Sequence, residues 1–256
     1  MCFDHDSSPP IPPSAGAAFS HEDIVLRASD GNDLAAFLAT PEEESRVGVV
    51  ILPDVRGLYR FYEELALRFA ERGSAAIAVD YFGRTAGVAK RGDDFDYWPH
   101  VHAGTPEGAQ ADTRAAVERL RELGVTSIFT VGFCMGGRLS WLAAASGHTL
   151  AGAIGFYGRP GPSQDGSPGP IDRVDEIECP ILALQAGDDQ NITAEDNAAF
   201  DRALTEARVE HEVVTFAGAP HSFFDRKAKE FGDASDDAWR RVLEFVERHA
   251  RQPTAA

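Results

Sequence analysis

Cysteine is scarce in this sequence of 256 residues. Three occur, Cys2, Cys134 and Cys179, and no two of them have the CxxC spacing of zinc or redox sites. An odd number of widely spaced thiols argues against a disulfide framework or a metal site, and it favours a reducing compartment such as the cytoplasm. In such a compartment a thiol is either an inert core group or a reactive one, so each has to be judged by its surroundings.

Basic residues are also in short supply. Lys and Arg number 24 against 41 Asp and Glu, which gives a formal net charge of −17 at pH 7. That charge disfavours nucleic acid and anionic membranes as partners, and it leaves a small molecule as the expected one. An anionic substrate would need a local basic residue to offset the field. No apolar run approaches the roughly 20 residues that span a bilayer.

The N-terminal segment lacks the features of a targeting sequence. MCFDHDSSPPIPPSAG has neither the basic start nor the apolar core of a signal peptide. Its Ser, Pro and Gly content predicts a flexible arm over residues 1–20, followed by a single domain over residues 21–256. The sequence contains no internal repeat, and we expect a monomer or a small homo-oligomer.

From Val47 onward, short apolar runs alternate with amphipathic segments. The runs Val47–Leu52 and Ala75–Val79 have the continuous apolar character of strands buried on both faces. Segments with helical periodicity, such as Thr105–Leu123, lie between runs of this kind. The alternation predicts the α/β class with a mostly parallel, doubly wound sheet.

Two further strands and two irregular stretches complete this prediction. Glu22–Ser29 and Leu34–Ala39 flank a turn at Asp30–Gly31, and they predict an N-terminal antiparallel pair at one edge of the sheet. The stretches Tyr81–Gly104 and Gly158–Pro170 interrupt the alternation, and both follow the carboxyl ends of strands. Ligands bind at that edge of open α/β sheets, so we expect these stretches beside the active site.

The segment Gly132-Phe133-Cys134-Met135-Gly136-Gly137 has the pattern of a nucleophile elbow. It follows an apolar run and precedes a helical segment, which is the context that such an elbow requires. Residues two positions before and after the nucleophile approach each other closely, and glycine removes the Cβ atoms that would clash. A thiol at a helix N-terminus is also favoured as its thiolate. The pattern predicts Cys134 as nucleophile; the alternative is a buried structural cysteine.

A catalytic acid and base are expected after two later strands. In hydrolases with such an elbow, the order along the chain is nucleophile, acid, histidine. His221 follows the strand predicted over Glu210–Phe216, and either Asp188 or Asp189 follows the preceding strand. We favour Asp189 as the acid, because in related hydrolases an apolar residue stands two or three positions later, here Ile192.

A tetrahedral intermediate also needs two amide donors for its oxyanion. One is expected to be the N–H group of Met135, at the start of the helix after Cys134. The other is expected from the loop after Val47–Leu52, where we nominate the N–H group of Val55.

With these segments placed, the chain resembles the dienelactone hydrolase family (carboxymethylenebutenolidase-like) of the α/β-hydrolases. The resemblance runs from about residue 22 to residue 248 and rests on PDVRGL, VDYFGRTAG, GFCMGG, GDDQNI and PHSFF. It implies a triad of Cys134, Asp189 and His221.

The resemblance also implies two further site residues, with departures from the family pattern. Asp54 would be a carboxylate near the nucleophile, one methylene shorter than the family's Glu, and Arg84 would bind a substrate carboxylate. The family's second arginine, four residues past the histidine, is replaced by Asp225, and Arg226 follows it. A turn residue at Asp54 and a surface cation at Arg84 are the simpler interpretations.

The implied activity is hydrolysis of an activated ester or enol lactone through a thioacyl-enzyme, without a cofactor. A general thiol carboxylesterase or thioesterase is the first alternative, and a non-catalytic or redox-sensing relative that uses Cys134 as a switch is the second. A nucleotide-binding Rossmann fold is excluded, because the glycine segment lacks GxGxxG and follows a middle strand rather than the first.

Overall fold

The computed structural model describes residues 4–163, 166–227 and 229–250, which form one eight-stranded sheet flanked by helices. The strands are β1 (Phe19–Arg27), β2 (Asp33–Pro41), β3 (Val47–Leu52), β4 (Ala75–Val79), β5 (Ser127–Phe133), β6 (Gly152–Phe156), β7 (Ile181–Asp188) and β8 (His211–Pro220). The helices are α1 (Arg60–Ala70), α2 (Gly83–Ala86), α3 (Trp98–Ala103), α4 (Pro106–Glu122), α5 (Met135–Ala144), α6 (Ala194–Glu206) and α7 (Gly232–Ala250). Two 3₁₀ segments cover Pro170–Glu176 and Lys229–Phe231.

The strands lie in the order β1-β2-β4-β3-β5-β6-β7-β8. β1 pairs with β2 and β2 with β4 in antiparallel fashion, and all pairs from β4 to β8 are parallel. The predicted mostly parallel, doubly wound sheet with antiparallel N-terminal edge strands is confirmed. Because β3, β5, β7 and β8 are parallel, the loops that follow them meet at one edge.

Helices cover both faces of the sheet. Leu65 and Phe69 of α1 pack with Val242 of α7 in one apolar cluster, together with the side chains of β3 and β5 that face them. On the opposite face, α4 and α5 contribute Leu120 and Leu142 to a second cluster. Both faces of the central strands are therefore buried, which is why these strands read as continuous apolar runs.

The structure differs from the prediction in one strand start and in one of the irregular stretches. β1 begins at Phe19 rather than Glu22, because its pairing with β2 continues to the Phe19–Pro41 pair. The stretch Tyr81–Gly104, predicted as irregular, contains α2 and α3. These helices are too short for a hydrophobic period to be recognised in the sequence.

The N-terminal arm contacts the rest of the domain within residues 4–18. Ser7 and Ser8 are buried, and the hydroxyl groups of Ser7 and Tyr59 are hydrogen-bonded at 2.9 Å. The Arg226 N–H donates to the Ser8 carbonyl at 3.2 Å, and Lys227 forms ion pairs with the acidic residues of the arm. The flexibility of the arm stays a prediction, and its composition does not reveal these tertiary contacts.

Among the helices of the described ranges, none combines the length and the apolar character needed to cross a membrane.

Candidate active site

Cys134 lies at the tight turn between β5 and α5. Its φ of 55° and ψ of −112° place it in a strained region for a residue with a side chain. A Cβ atom on Gly132 would overlap the Gly136 carbonyl group, and one on Gly136 would overlap the carbonyl oxygens of Leu52 and Pro53. The glycines of the segment therefore allow this turn and hold the start of α5 against the end of β3.

Asp189 and His221 are brought together from the ends of β7 and β8. The distance between His221 Nδ1 and Asp189 Oδ2 is 2.6 Å, and the Asp189 side chain is only 1% exposed. Asp189 Oδ1 accepts hydrogen bonds from the N–H groups of Asn191 and Ile192 at 2.9 and 3.3 Å. Asp188 is exposed, so of the two neighbours it is Asp189 that holds the imidazole.

The contact with His221 also determines the charge state of the acid. Burial alone would raise the pKa of Asp189, but the hydrogen bonds from His221 and from the backbone of Asn191 outweigh it and lower the pKa. Asp189 is therefore a carboxylate at neutral pH. A carboxylate at this position fixes the proton of the ring on Nδ1 and leaves Nε2 for chemistry.

His221 is hydrogen-bonded to the side chain of Cys134 as well as to Asp189. Burial alone would lower the pKa of His221, but the hydrogen bonds with Asp189 and Cys134 and the charges of both residues raise it to about 9. The ring thus carries two protons at neutral pH. A cationic imidazole beside the thiol favours the thiolate, so we expect Cys134 to be charged at neutral pH.

This charge state predicts how alkylation of the thiol depends on pH. Because an imidazolium with a pKa of about 9 lies beside the thiol and favours its thiolate, we expect the rate at which iodoacetamide modifies Cys134 to fall by clearly less than tenfold per pH unit between pH 8 and pH 6. An ordinary thiol would react more slowly by roughly tenfold per pH unit below its pKa. Burial raises the pKa of Cys179 to about 12, so that residue should stay unmodified in the folded protein.

The measurement is peptide mapping by mass spectrometry after timed alkylation, which separates the three cysteines. The His221→Gln variant serves as the control and should restore the steep dependence on pH. A tenfold loss of Cys134 reactivity per pH unit in the wild-type protein would contradict the imidazolium–thiolate pair.

Tyr157 is a site residue that the sequence did not suggest. Its ring lies against the His221 ring, with centroids 4.8 Å apart, and it is fully buried at the end of β6. Its φ of 37° turns the backbone sharply, and Gln185 Nε2 donates a 3.0 Å hydrogen bond to the carbonyl of the next residue, Gly158. Its only sequence signal is a position at the carboxyl end of a strand that neighbours β5.

The two residues nominated for the oxyanion hole lie on adjacent segments. Met135 is the first residue of α5, where an N–H group has no partner within the helix. Val55 lies in the loop after β3. This loop lies close to α5, because Gly136 is next to the carbonyl groups of Leu52 and Pro53, which precede Val55 in the chain. The loop is fixed by a 3.2 Å hydrogen bond from the Leu58 N–H to Asp80. The direction of the Val55 and Met135 amides toward a substrate stays a prediction.

Asp54 is buried and bound to an arginine of its own loop. Its two carboxylate oxygens accept hydrogen bonds from Arg56 Nε at 3.0 Å and Arg56 Nη2 at 2.5 Å, and the Arg56 guanidinium stacks over Tyr59. This ion pair stiffens the loop that carries Val55. The assignment of Asp54 to the resting thiol stays a prediction.

A cavity of about 230 Å³ lies beside the elbow. Met135 and Leu139 of α5 line it, and so does Arg84. Arg84 is already paired, with Nη1 at 2.5 Å from Asp112 and Nη2 at 2.6 Å from Asp30. Arg226, the other arginine named by the sequence, lies instead in a groove along the N-terminal arm.

Asp112 is a second residue near the site that the sequence did not suggest, although the sequence contains a signal for it. It lies on the buried face of α4, four and eight residues before Ala116 and Leu120. An acidic residue on the apolar face of an amphipathic helix indicates a buried partner of opposite charge. Within the described ranges, no three His, Cys, Asp or Glu side chains are placed to hold a metal ion.

Comparison with known proteins identifies relatives of this chain. The profile of the dienelactone hydrolase family matches residues 34–250. The carboxymethylenebutenolidase of Rhodococcus opacus is 28% identical, with 97% of each chain covered. A candidate carboxymethylenebutenolidase of Saccharolobus solfataricus is 29% identical, with 89% of this chain and 98% of that protein covered. A crystal structure from Klebsiella pneumoniae is similar in fold, with a TM-score of 0.80, 23% identity, and coverage of 90% of this chain and 99% of that one.

Proposed function

Since the chain belongs to the dienelactone hydrolase family and is a hydrolase acting on a small molecule, we propose that it opens an activated ester or an enol lactone through Cys134, His221 and Asp189. The observation that carries the proposal is the continuous hydrogen-bonded path from the Asp189 carboxylate through His221 to the Cys134 side chain. The path ends at a residue held on a strained turn at the head of a helix.

Acylation begins with the thiolate already formed. The Cys134 sulfur attacks the carbonyl carbon, and the oxyanion receives hydrogen bonds from the N–H groups of Met135 and Val55. When the tetrahedral intermediate collapses, the bond to the leaving oxygen breaks and the His221 imidazolium gives its proton to that oxygen. The products of this step are a thioester on Cys134 and a free enol or alcohol.

Deacylation uses the same histidine as a base. In the thioester the charge of Cys134 is gone, and so are the two contributions from Cys134 that raise the pKa of His221 in the resting enzyme. The ring, neutral after its proton has left, can take a proton from water while the hydroxyl oxygen attacks the thioester carbon. The thiolate leaves, the imidazolium is restored, and the acid product ionises.

The nucleophile limits the substrates. A thiolate is a better leaving group than an alkoxide, so with an unactivated alkyl ester the tetrahedral intermediate returns to reactants. An enolate or aryl oxide competes with the thiolate and allows the reaction to proceed. The same sulfur must remain reduced to act, so we place the reaction in a reducing compartment such as the cytoplasm.

The proposal is tested with a substrate panel of enol lactones, aryl esters, thioesters and simple alkyl esters. We expect kcat/KM for an enol lactone or an aryl ester to exceed that for a simple alkyl ester by at least about 100-fold, which corresponds to about 3 kcal/mol in barrier height. Initial rates are followed by absorbance, and the product acid by mass spectrometry.

The other outcomes of the panel identify competing functions. Thioesters turned over faster than every oxygen ester would indicate a thioesterase. Alkyl esters turned over as fast as enol lactones would contradict the role given to the leaving group. Alkylation of Cys134 without turnover of any ester would indicate a redox-sensing or non-catalytic protein.

A further inference from the structure

The charge of Arg84 is balanced inside the protein. Arg84 Nη1 binds Asp112 at 2.5 Å and Nη2 binds Asp30 at 2.6 Å, so two carboxylates hold the two ends of one guanidinium group. The Asp112 side chain is fully buried, whereas that of Asp30 is 47% exposed. Arg84 thus faces the cavity as part of an assembly with a formal charge of −1, and not as a free cation.

The position of Asp112 is fixed from a second direction. Asn32 Nδ2 donates a hydrogen bond of 3.1 Å to Asp112 Oδ1, which leaves Oδ2 for Arg84. α4 places Asp112 on its buried face, so the carboxylate cannot turn to solvent. A buried carboxylate without its arginine would be costly, and the pair therefore fixes the position of Arg84 in the cavity wall.

The remaining arginine of the cavity is engaged with backbone. Arg138 is buried, and its guanidinium donates hydrogen bonds to carbonyl groups of the loop after β6, including Pro168 at 2.9 Å and Arg159 at 3.3 Å. Arg226 lies outside the cavity, beside the N-terminal arm. The positions that could offer a cation to a substrate are therefore used for structure or lie elsewhere.

The rest of the cavity is largely apolar. Its wall contains Tyr81, Phe82, Val101, Ala109, Met135 and Leu139. The His100 ring also lines it and packs against Phe82 with centroids 5.8 Å apart. The Tyr81 hydroxyl group is bonded to the Pro53 carbonyl at 3.1 Å, and Met135 follows the nucleophile directly. The apolar wall thus reaches Met135, next to Cys134 in the chain, and Tyr81, which is bonded to the loop after β3.

We propose that this cavity selects an uncharged ester or lactone over a carboxylate-bearing one, and that Asp112 and Asp30 set the selection by occupying Arg84. The inference rests on the proposed function and narrows its substrate class. An anionic substrate would meet an arginine whose charge Asp112 and Asp30 already balance, under a net protein charge of −17. A neutral ring would bury apolar surface without that repulsion.

The test compares two substrates that differ in charge alone. Carboxymethylenebutenolide carries a carboxylate at neutral pH, and its primary amide has the same ring, the same leaving group and nearly the same shape. We expect kcat/KM of the wild-type enzyme for the amide to exceed that for the carboxylate by at least about tenfold. Ring opening is followed by ultraviolet absorbance at several ionic strengths.

Substitutions then test whether Asp112 and Asp30 determine the preference for the uncharged substrate. Asp112→Asn keeps the acceptor for Asn32 and should lower the amide-to-carboxylate ratio by about tenfold, because one strong charge-assisted contact to Arg84 is lost. Asp30→Asn, at a more exposed site, should lower the ratio by about threefold. Because this position is exposed, the substitution is not expected to disturb folding. Asp33→Asn is the matched control: it removes one charge from the same turn, but its partner is Arg27, at 2.9 Å, and the ratio should stay within about twofold.

The outcomes separate this inference from the proposed function. A wild-type enzyme that prefers the carboxylate overturns the inference and leaves the hydrolase proposal intact. An equal effect of all three variants would also overturn it, because the selection would then come from net charge and not from Arg84. An enzyme that opens neither lactone overturns the inference, and one that also hydrolyses no aryl ester contradicts the proposed function itself.

Discussion

Replacing Cys134 with alanine is expected to lower kcat for the best substrate of the panel by at least about 10³-fold, with the fold unchanged. Removing one member of a nucleophile–histidine–acid set costs at least this much in hydrolases of related design, because the others cannot act alone. Cys134 is partly exposed at the surface of the site, so its replacement leaves no large cavity. Steady-state kinetics and circular dichroism of the same preparation measure both effects.

The matched control is Cys179→Ala, which removes a thiol that is buried in the cluster of α5 and α6 and has no catalytic context. We expect it to retain the rate within about twofold and to lose a modest amount of stability, of the order of 1 kcal/mol. Hydrolysis by the Cys134→Ala variant at more than about a tenth of the wild-type rate would mean that another group performs the attack.

Replacing Gly136 with alanine should prevent the elbow from forming. The new Cβ atom would overlap the carbonyl oxygens of Leu52 and Pro53, which are backbone atoms of β3 and its loop. Neither can move without breaking the central sheet, so we expect a loss of at least about 3 kcal/mol in the free energy of unfolding. For a chain of this size that lowers Tm by about 6–12 °C.

Gly232→Ala is the matched control, because a Cβ atom there meets nothing within 4 Å. Its Tm should change by about 2 °C or less, since alanine at an open helical position is tolerated or slightly stabilising. Thermal unfolding followed by circular dichroism compares the two variants with the wild type. A Gly136→Ala variant with unchanged Tm and full activity would show that α5 does not press against β3 as described.

The sheet and the tight turn that carries Cys134 were predictable because each depends on local patterns. Continuous apolar runs mark β3 and β4, since strands covered on both faces tolerate few polar residues. The glycines around Cys134 report a steric requirement that side chains cannot meet. His221 followed from the order of elements, because the last strands of a parallel sheet end at the same edge as β5.

The features that escaped prediction depend on residues far apart in the sequence. Asp30 and Arg84 are separated by 54 positions, and Asp112 lies 28 positions beyond Arg84, so no local pattern links the three side chains. Tyr157 and its contact with His221 likewise join the ends of two strands with β7 between them. Long-range contacts of this kind determine the ligand specificity of a site, whereas local sequence patterns determine mainly the fold.

The contacts of the N-terminal arm lead us to expect an order of folding events. Asp6 and Lys227 are in contact although 221 positions separate them, and Ser8 is bonded to the backbone of Arg226. Contacts between such distant positions carry the largest loop-closure entropy and form after the local ones. We therefore expect the segment after β8, which begins with His221, to become ordered only when the beginning of the chain reaches it, so that the candidate active site is completed late in folding.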